Sequence, residues 1–139
     1  MPYALKSGTY IRNSGEYPSE GGSKMTKYLL VMTTVPDSEV GQIIAEKIIE
    51  ERLAACVTLS APGQSLYWWQ GKITQDQEHT LFVKTKKEAY RKLEEKIHQL
   101  HPYDVPEIIA LPVFAGSKDY LNWIDSETQT LGKIRDIFF

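Results

Sequence analysis

Leu100-His101-Pro102-Tyr103-Asp104-Val105-Pro106-Glu107-Ile108-Ile109 is the stretch from which the rest of the chain is best read. Two prolines bracket a polar kink. Each proline pushes the residue before it out of the α region, so a helix arriving from the N-terminal side stops by His101. Before the kink, Tyr90, Leu93, Ile97 and Leu100 step by 3, 4 and 3 residues, the spacing of one helical face over Lys87 to Leu100. After it, Glu107 to Val113 is an apolar run that reads as a strand.

Working back toward the N-terminus, the same alternation repeats. Lys27 to Val35 reads as a strand, and Pro36-Asp37 ends it. Asp37 is a good helix N-cap, with Glu39 in the favourable first turn. Val40, Ile43, Ile44, Ile48 and Leu53 then keep a helical spacing. Ala55 to Leu59 reads as a strand, and Ala61-Pro62-Gly63 punctuates it. Ser65 to Trp69 resumes the strand pattern, Gln70-Gly71 is a tight-turn pair, and Lys72 onward returns toward Leu81-Phe82-Val83. Toward the C-terminus, Ser117 can cap a last helix that turns Tyr120, Trp123 and Ile124 inward. The order is β-α-β-β-α-β plus a helix, an α+β class with the ferredoxin-like arrangement, in which right-handed crossovers put both main helices on one face of the sheet.

The ends differ in composition. Residues 1–24 are rich in Gly, Ser, Pro and Tyr without strand or helix period, and read as an extension or tag-like linker, although Thr9-Tyr10-Ile11 could add an edge strand. Residues 25–130 form the expected domain. Residues 131–139 read as a tail whose Ile134, Ile137, Phe138 and Phe139 are apolar enough to dock.

The 139 residues carry a formal net charge of -2, which leaves no basic footprint for nucleic acid. A single cysteine, Cys56, excludes an intrachain disulfide and fits a reducing compartment. Its sequence neighbours are apolar, so it reads as a buried structural thiol. No apolar run approaches the ~18 residues of a membrane helix. A cytoplasmic protein with no membrane partner is expected.

Three blocks are unusual in wording: Glu51-Arg52-Leu53-Ala54-Ala55-Cys56-Val57, Tyr67-Trp68-Trp69-Gln70-Gly71-Lys72-Ile73, and the kink itself. In this order they resemble the CutA divalent-cation-tolerance family, over Lys27 to about Gln129. The resemblance implies a ferredoxin-like homotrimer with strand edges paired between subunits, and a non-enzymatic role in divalent-cation tolerance. The residues point the same way on assembly. Apolar residues occupy consecutive strand positions in Leu29 to Met32, Leu81 to Val83 and Ile108 to Leu111, and Tyr67, Trp68 and Trp69 put rings on both faces, so a second copy should cover the face the helices leave open.

Candidate chemistry is sparse. His98 and His101 are three apart, but His101 precedes Pro102 and rotates away, leaving His98 facing solvent and His101 free to bond the last helix carbonyls. In bacterial members the resemblance implies a copper site built on the block that contains His101. The other positions are Thr33 and Leu100 here, neither of them a soft or imidazole ligand, so only His101 carries over. Cu(II) or another divalent cation is the expected ligand, bound weakly and not required for folding. Tyr67, Trp68, Trp69, Lys72, Glu78, Lys84, Tyr103 and Glu107, with Asp104, are expected at a cleft or interface between subunits. Two other classes remain open. One is a small-molecule sensor like the PII signalling trimers, although no phosphate-cradling Gly-rich loop is present. The other is a trimeric scaffold.

Overall fold

The computed structural model describes residues 27–129. The readings made for residues 1–24 and 131–139 lie outside the described residues. The elements are β1 (Tyr28–Val35), α1 (Ser38–Glu50), β2 (Cys56–Leu59), β3 (Gly63–Trp69), β4 (Lys72–Lys86), α2 (Tyr90–Leu100), β5 (Ile109–Pro112) and α3 (Lys118–Glu127). The fold is mixed α+β, with an antiparallel sheet and three helices. Strands are ordered β2-β4-β1-β5, and β3 also pairs with β4.

Local chemistry explains most boundaries. Asp37 caps α1, its Oδ1 accepting from the Val40 N–H at 2.8 Å. Ser117 does the same for α3 through Tyr120 N–H at 3.3 Å. Gln70 and Gly71 both have positive φ, 48° and 75°, the backbone of a two-residue hairpin turn matched to strand twist. Three expectations shift. The first turn of the second helix, Lys87–Ala89, is a 3-10 turn, and the α-helix starts at Tyr90. The last strand is Ile109–Pro112, so Glu107 precedes it rather than opening it. In α3 only Ile124 is buried. Tyr120 and Trp123 stay half out, with ring centroids 5.6 Å apart.

The sheet has two unlike faces. Paired residues share a face, and neighbours along a strand alternate. Val31 pairs with Val83 and Thr33 with Leu81 in β1·β4, while Val57 and Leu59 pair with the same two in β2·β4. These point toward α1 and α2, where Ile44, Ile48, Leu93 and Ile97 complete the core. Gly41 lets α1 sit close, since a Cβ there would meet Leu59 Cδ1 at 2.8 Å. The opposite face carries Leu30, Met32, Phe82, Ile109 and Leu111, none of them buried. This agrees with the apolar-on-both-faces reading.

Between β2 and β3 the chain gains a residue. From Leu59 to Gly63 it advances four positions while β4 advances three, from Leu81 to Glu78. Such a bulge flips alternation on one strand. Ser65, Tyr67 and Trp69 therefore join the open face beside Asp76 and Thr74. Leu66, Trp68 and Ile73 fall on the other side, beyond the reach of the helices. Trp68 is left 71% exposed.

α3 is fastened by charge. Lys86, on β4, is 0% exposed and its Nζ donates to Asp125 Oδ1 at 2.9 Å. Lys27 Nζ reaches the same oxygen at 2.9 Å. Hydrogen bonds from the two ammonium groups hold the Asp125 carboxyl below the usual carboxylate range. A carboxylate so depressed adds stability above its unfolded value near ~3.9, and that stability is lost as pH falls through the lower folded value. Removing one partner of a fully buried pair costs roughly 3–5 kcal/mol. Water reaches Asp125, so Asp125→Ala is expected to cost roughly 2 kcal/mol in urea unfolding at pH 7. The difference from wild type should shrink below about pH 3.5. Equal stability of the two proteins at pH 7 would show that the pair does not hold α3.

Candidate functional site

The polar side chains gather where the β3–β4 hairpin meets the kink after α2. β4 delivers Asp76 and Glu78, β3 delivers Ser65 and Tyr67, and the kink delivers His101, Tyr103 and Glu107. Glu78 and Tyr103 are buried, and the phenol donates to Glu78 Oε2 at 3.0 Å. Ser65 also hydrogen-bonds Glu78. Tyr67 donates to Asp76 Oδ2, a second phenol–carboxylate pair one turn of the pleat away. Burial, then the charge of Glu78, pushes the Tyr103 phenol far above its ordinary value near 10. Burial, then the Glu78 charge, also raises the Glu107 carboxyl.

His101 is buried and held at both ends. The Tyr103 N–H donates to Nδ1 at 3.1 Å, so the ring proton sits on Nε2 and points at the Thr34 carbonyl oxygen, 2.7 Å away. The backbone N–H of His101 closes the last turn of α2 by donating to the Ile97 carbonyl at 2.8 Å, while its ring ties the kink to β1. Its ring lies 4.7 Å from that of Tyr103. A cation at His101 would have to displace one of these two bonds. Thr33 faces the core and Leu100 lies at the end of α2, as their non-ligand chemistry allows. His98 is half-buried rather than solvent-facing, with Nε2 3.9 Å from Glu94.

The expected cleft residues do not form one group. Glu78, Tyr103 and Glu107 converge, with Tyr67 nearby. Lys72 and Lys84 each lie six positions along β4 from Glu78, a strand distance of about 20 Å. Lys72 is at the hairpin tip opposite Trp69. Lys84 donates to Thr58 Oγ1 at 2.6 Å and lies 3.8 Å from Cys56 Sγ. Cys56 is half-buried, not buried, because Lys84 and the open face are its surroundings. Trp68 and Trp69 point to opposite sides of the hairpin. Asp104 is half-buried in the kink. Sequence reasoning missed Ser65, Asp76 and Thr34. The bulge that turns Ser65 toward Glu78 had a visible trace in Ala61-Pro62-Gly63, but its effect on alternation did not. Among the described residues, no three or more His, Cys, Asp or Glu side chains gather closely enough to hold a metal.

This fold and its kink match a known family. The sequence profile of the CutA1 divalent ion tolerance protein matches residues 29–127. The chain belongs to the CutA1 family. A divalent-cation tolerance protein CutA of Thermus thermophilus is 48% identical over 99 residues, which is 71% of this chain and 96% of that protein. A solved Thermus thermophilus CutA1 structure superposes with a TM-score of 0.72 at 47% identity, covering 73% of this chain and 99% of that one. A chloroplastic CutA of Arabidopsis thaliana is 41% identical over 110 residues, 79% of this chain and 60% of that protein. The CutA1 description names tolerance of divalent ions and no reaction. The Arabidopsis relative is a chloroplastic protein by name, and among the described residues of this chain no helix is long and apolar enough to cross a membrane.

The raised phenol gives a direct test of the site. An acid whose folded value is raised stabilises the fold below its unfolded value, near ~10, and that contribution is lost as pH rises through the folded value. In a spectrophotometric titration at 295 nm, one tyrosine should stay un-ionised past pH 11 until the protein unfolds. Tyr103→Phe should remove that late component and cost about 2 kcal/mol, the scale of a hydrogen bond to a buried charge. A late component of unchanged size in Tyr103→Phe would assign it elsewhere.

Proposed function

We propose that this chain is a non-enzymatic, ferredoxin-like homotrimer that serves divalent-cation tolerance, with itself as its principal partner and no nucleic acid or membrane in its role. The observation that carries assembly is the β3–β4 hairpin, whose Leu66, Trp68 and Ile73 form an exposed apolar face beyond the helices of the described residues. Phe114, after β5, is 95% exposed, and Ile109 and Leu111 are also exposed. Monomers rarely carry apolar patches of this extent. A neighbouring copy would cover the hairpin and the open sheet face together. The tolerance reading rests on the family and on the relatives' names. A cytoplasmic location remains the simplest reading of a chain with one cysteine.

Sedimentation equilibrium at micromolar concentration should return three chain masses. Trp68→Ser should shift the distribution toward smaller species and lower the melting temperature at fixed concentration. A monomer in the wild type would sink the assembly.

Copper should bind weakly, since a Cu(II) ion at His101 must first displace the Tyr103 N–H or move the ring from Thr34. In calorimetry on a chain beginning at Met25, His101→Ala should lose most specific Cu(II) binding, while His79→Ala should not. Unchanged copper affinity in His101→Ala would remove copper from this histidine. Stabilisation by nucleotides and not by metals would favour a small-molecule sensor instead, and a response to neither would favour a scaffold.

A further inference from the structure

We propose that Glu78 and Glu107, with the hydroxyl of Thr34, form an oxygen-lined site for one hard divalent cation, separate from the imidazole of His101. The proposal rests on the cation reading above and names the class of ion. Its geometry follows from strand register. Thr34 pairs with Thr80 on β4, and Glu78 lies two positions further on the same face. On the other side, Met32 pairs with Ile109 in β1·β5, and the same antiparallel step carried back two residues sets Glu107 opposite Thr34. Ile108 confirms the alternation, because it packs against the helix-side core, which turns Glu107 to the open face. Thr34 on β1 and Glu78 on β4 therefore point to the open side of the sheet, and Glu107, two residues before β5, falls on the same side when the register is carried back.

Thr34 supplies the independent observation. Its residue is 9% exposed, and its Oγ1 has no hydrogen-bond partner. A buried hydroxyl without a partner costs roughly 1–3 kcal/mol. On this register the hydroxyl lies on the same sheet face as Glu78 and Glu107, and a cation held by those carboxylates would take it as a further ligand. A buried and a half-buried acid close together also repel unless one is protonated or a cation lies between them. The raised Glu107 carboxyl, pushed up by burial and by Glu78, fits the first of these states in the absence of an ion. The second is the proposed one.

The donor set selects the ion. Carboxylate and hydroxyl oxygens suit Mg²⁺ and Mn²⁺, which are commonly held by one or two carboxylates and keep several waters. Soft copper is better served by imidazole or thiolate, and neither is among these three side chains. Tyr103 and Ser65 would act as positioning residues, since each hydrogen-bonds Glu78 and fixes its orientation.

Mn²⁺ is the probe, because the free ion gives an electron paramagnetic resonance signal that binding removes. The full chain should take up one Mn²⁺ per protomer, and Mg²⁺ should compete for it. Glu107→Gln should weaken Mn²⁺ at least tenfold. Thr34→Val, which keeps the shape and removes the oxygen, should weaken it several-fold, and Thr34→Ser should restore it. His79→Ala, on the opposite sheet face, should leave it unchanged. Wild-type far-ultraviolet circular dichroism and sedimentation in Glu107→Gln and Thr34→Val would show that the fold is intact, so the test does not depend on Glu78→Gln folding. Mn²⁺ binding that is undetectable in wild type at millimolar ion, or equal in wild type and Glu107→Gln, would overturn the site. If Cu(II) still binds in a His101-dependent way while Mn²⁺ does not, this site falls and the cation reading stands. If neither binds, both fall.

Discussion

One strand belongs to two structures at once, and most of the molecule depends on how it does so. β4 runs for 15 residues. Its second half pairs with β1 on one edge and β2 on the other and forms the floor of the core. Its first half pairs, among the described residues, with β3, in a ribbon beyond the helices. Antiparallel pairing imposes alternation, so each residue of β4 has its face decided by its position. Leu81, Val83 and Thr85 must face the helices, which forces Thr80, Glu78 and Asp76 onto the open side. The acidic residues are where they are because the core is where it is.

The site exists at the join between these halves. The added residue at Ser60–Pro62 turns β3 over, so that Ser65 and Tyr67 meet Glu78 and Asp76 instead of facing away from them. The kink after α2 then lays Tyr103 over Glu78, and His101 pins it to β1 by a bond at each ring nitrogen. His101 is thus a fastener between two elements far apart in sequence. A residue whose side chain is engaged at both ends holds geometry well and gives up its lone pair poorly. Histidine chemistry and histidine position pull in opposite directions here.

How far the sequence alone reaches can be seen residue by residue. Asp37, Ser117, Gln70-Gly71 and the Pro102/Pro106 kink act through bonds to their immediate neighbours, so their roles were readable in order along the chain. The spacing of Ile44, Ile48, Leu93 and Ile97 marked the core for the same reason. What escaped depends on register between distant strands. Lys72 and Lys84 looked like companions of Glu78 because all three are polar and lie on one strand. The rise per residue puts the lysines at opposite ends of it, each about 20 Å away. Thr34 drew no attention, since a threonine in a strand is ordinary until its hydroxyl proves to be buried without a hydrogen-bond partner. The Lys86–Asp125 pair joins residues 39 apart, and no local pattern announces it.

The hairpin beyond the bulge has a kinetic meaning. A two-stranded ribbon without a core of its own is marginally stable in water. Among the described residues, 63–78 pack on each other and on the kink, while the strands behind them share the full hydrophobic core. Local opening should therefore be cheap at the ribbon and expensive at β1 and the second half of β4. In a lone chain, amide hydrogens at Leu66 and Trp68 would exchange with solvent long before those at Val31 and Val83, and a covering copy would narrow that gap. The two halves of one strand would then report two separate unfolding free energies, with the change between them falling near Glu78.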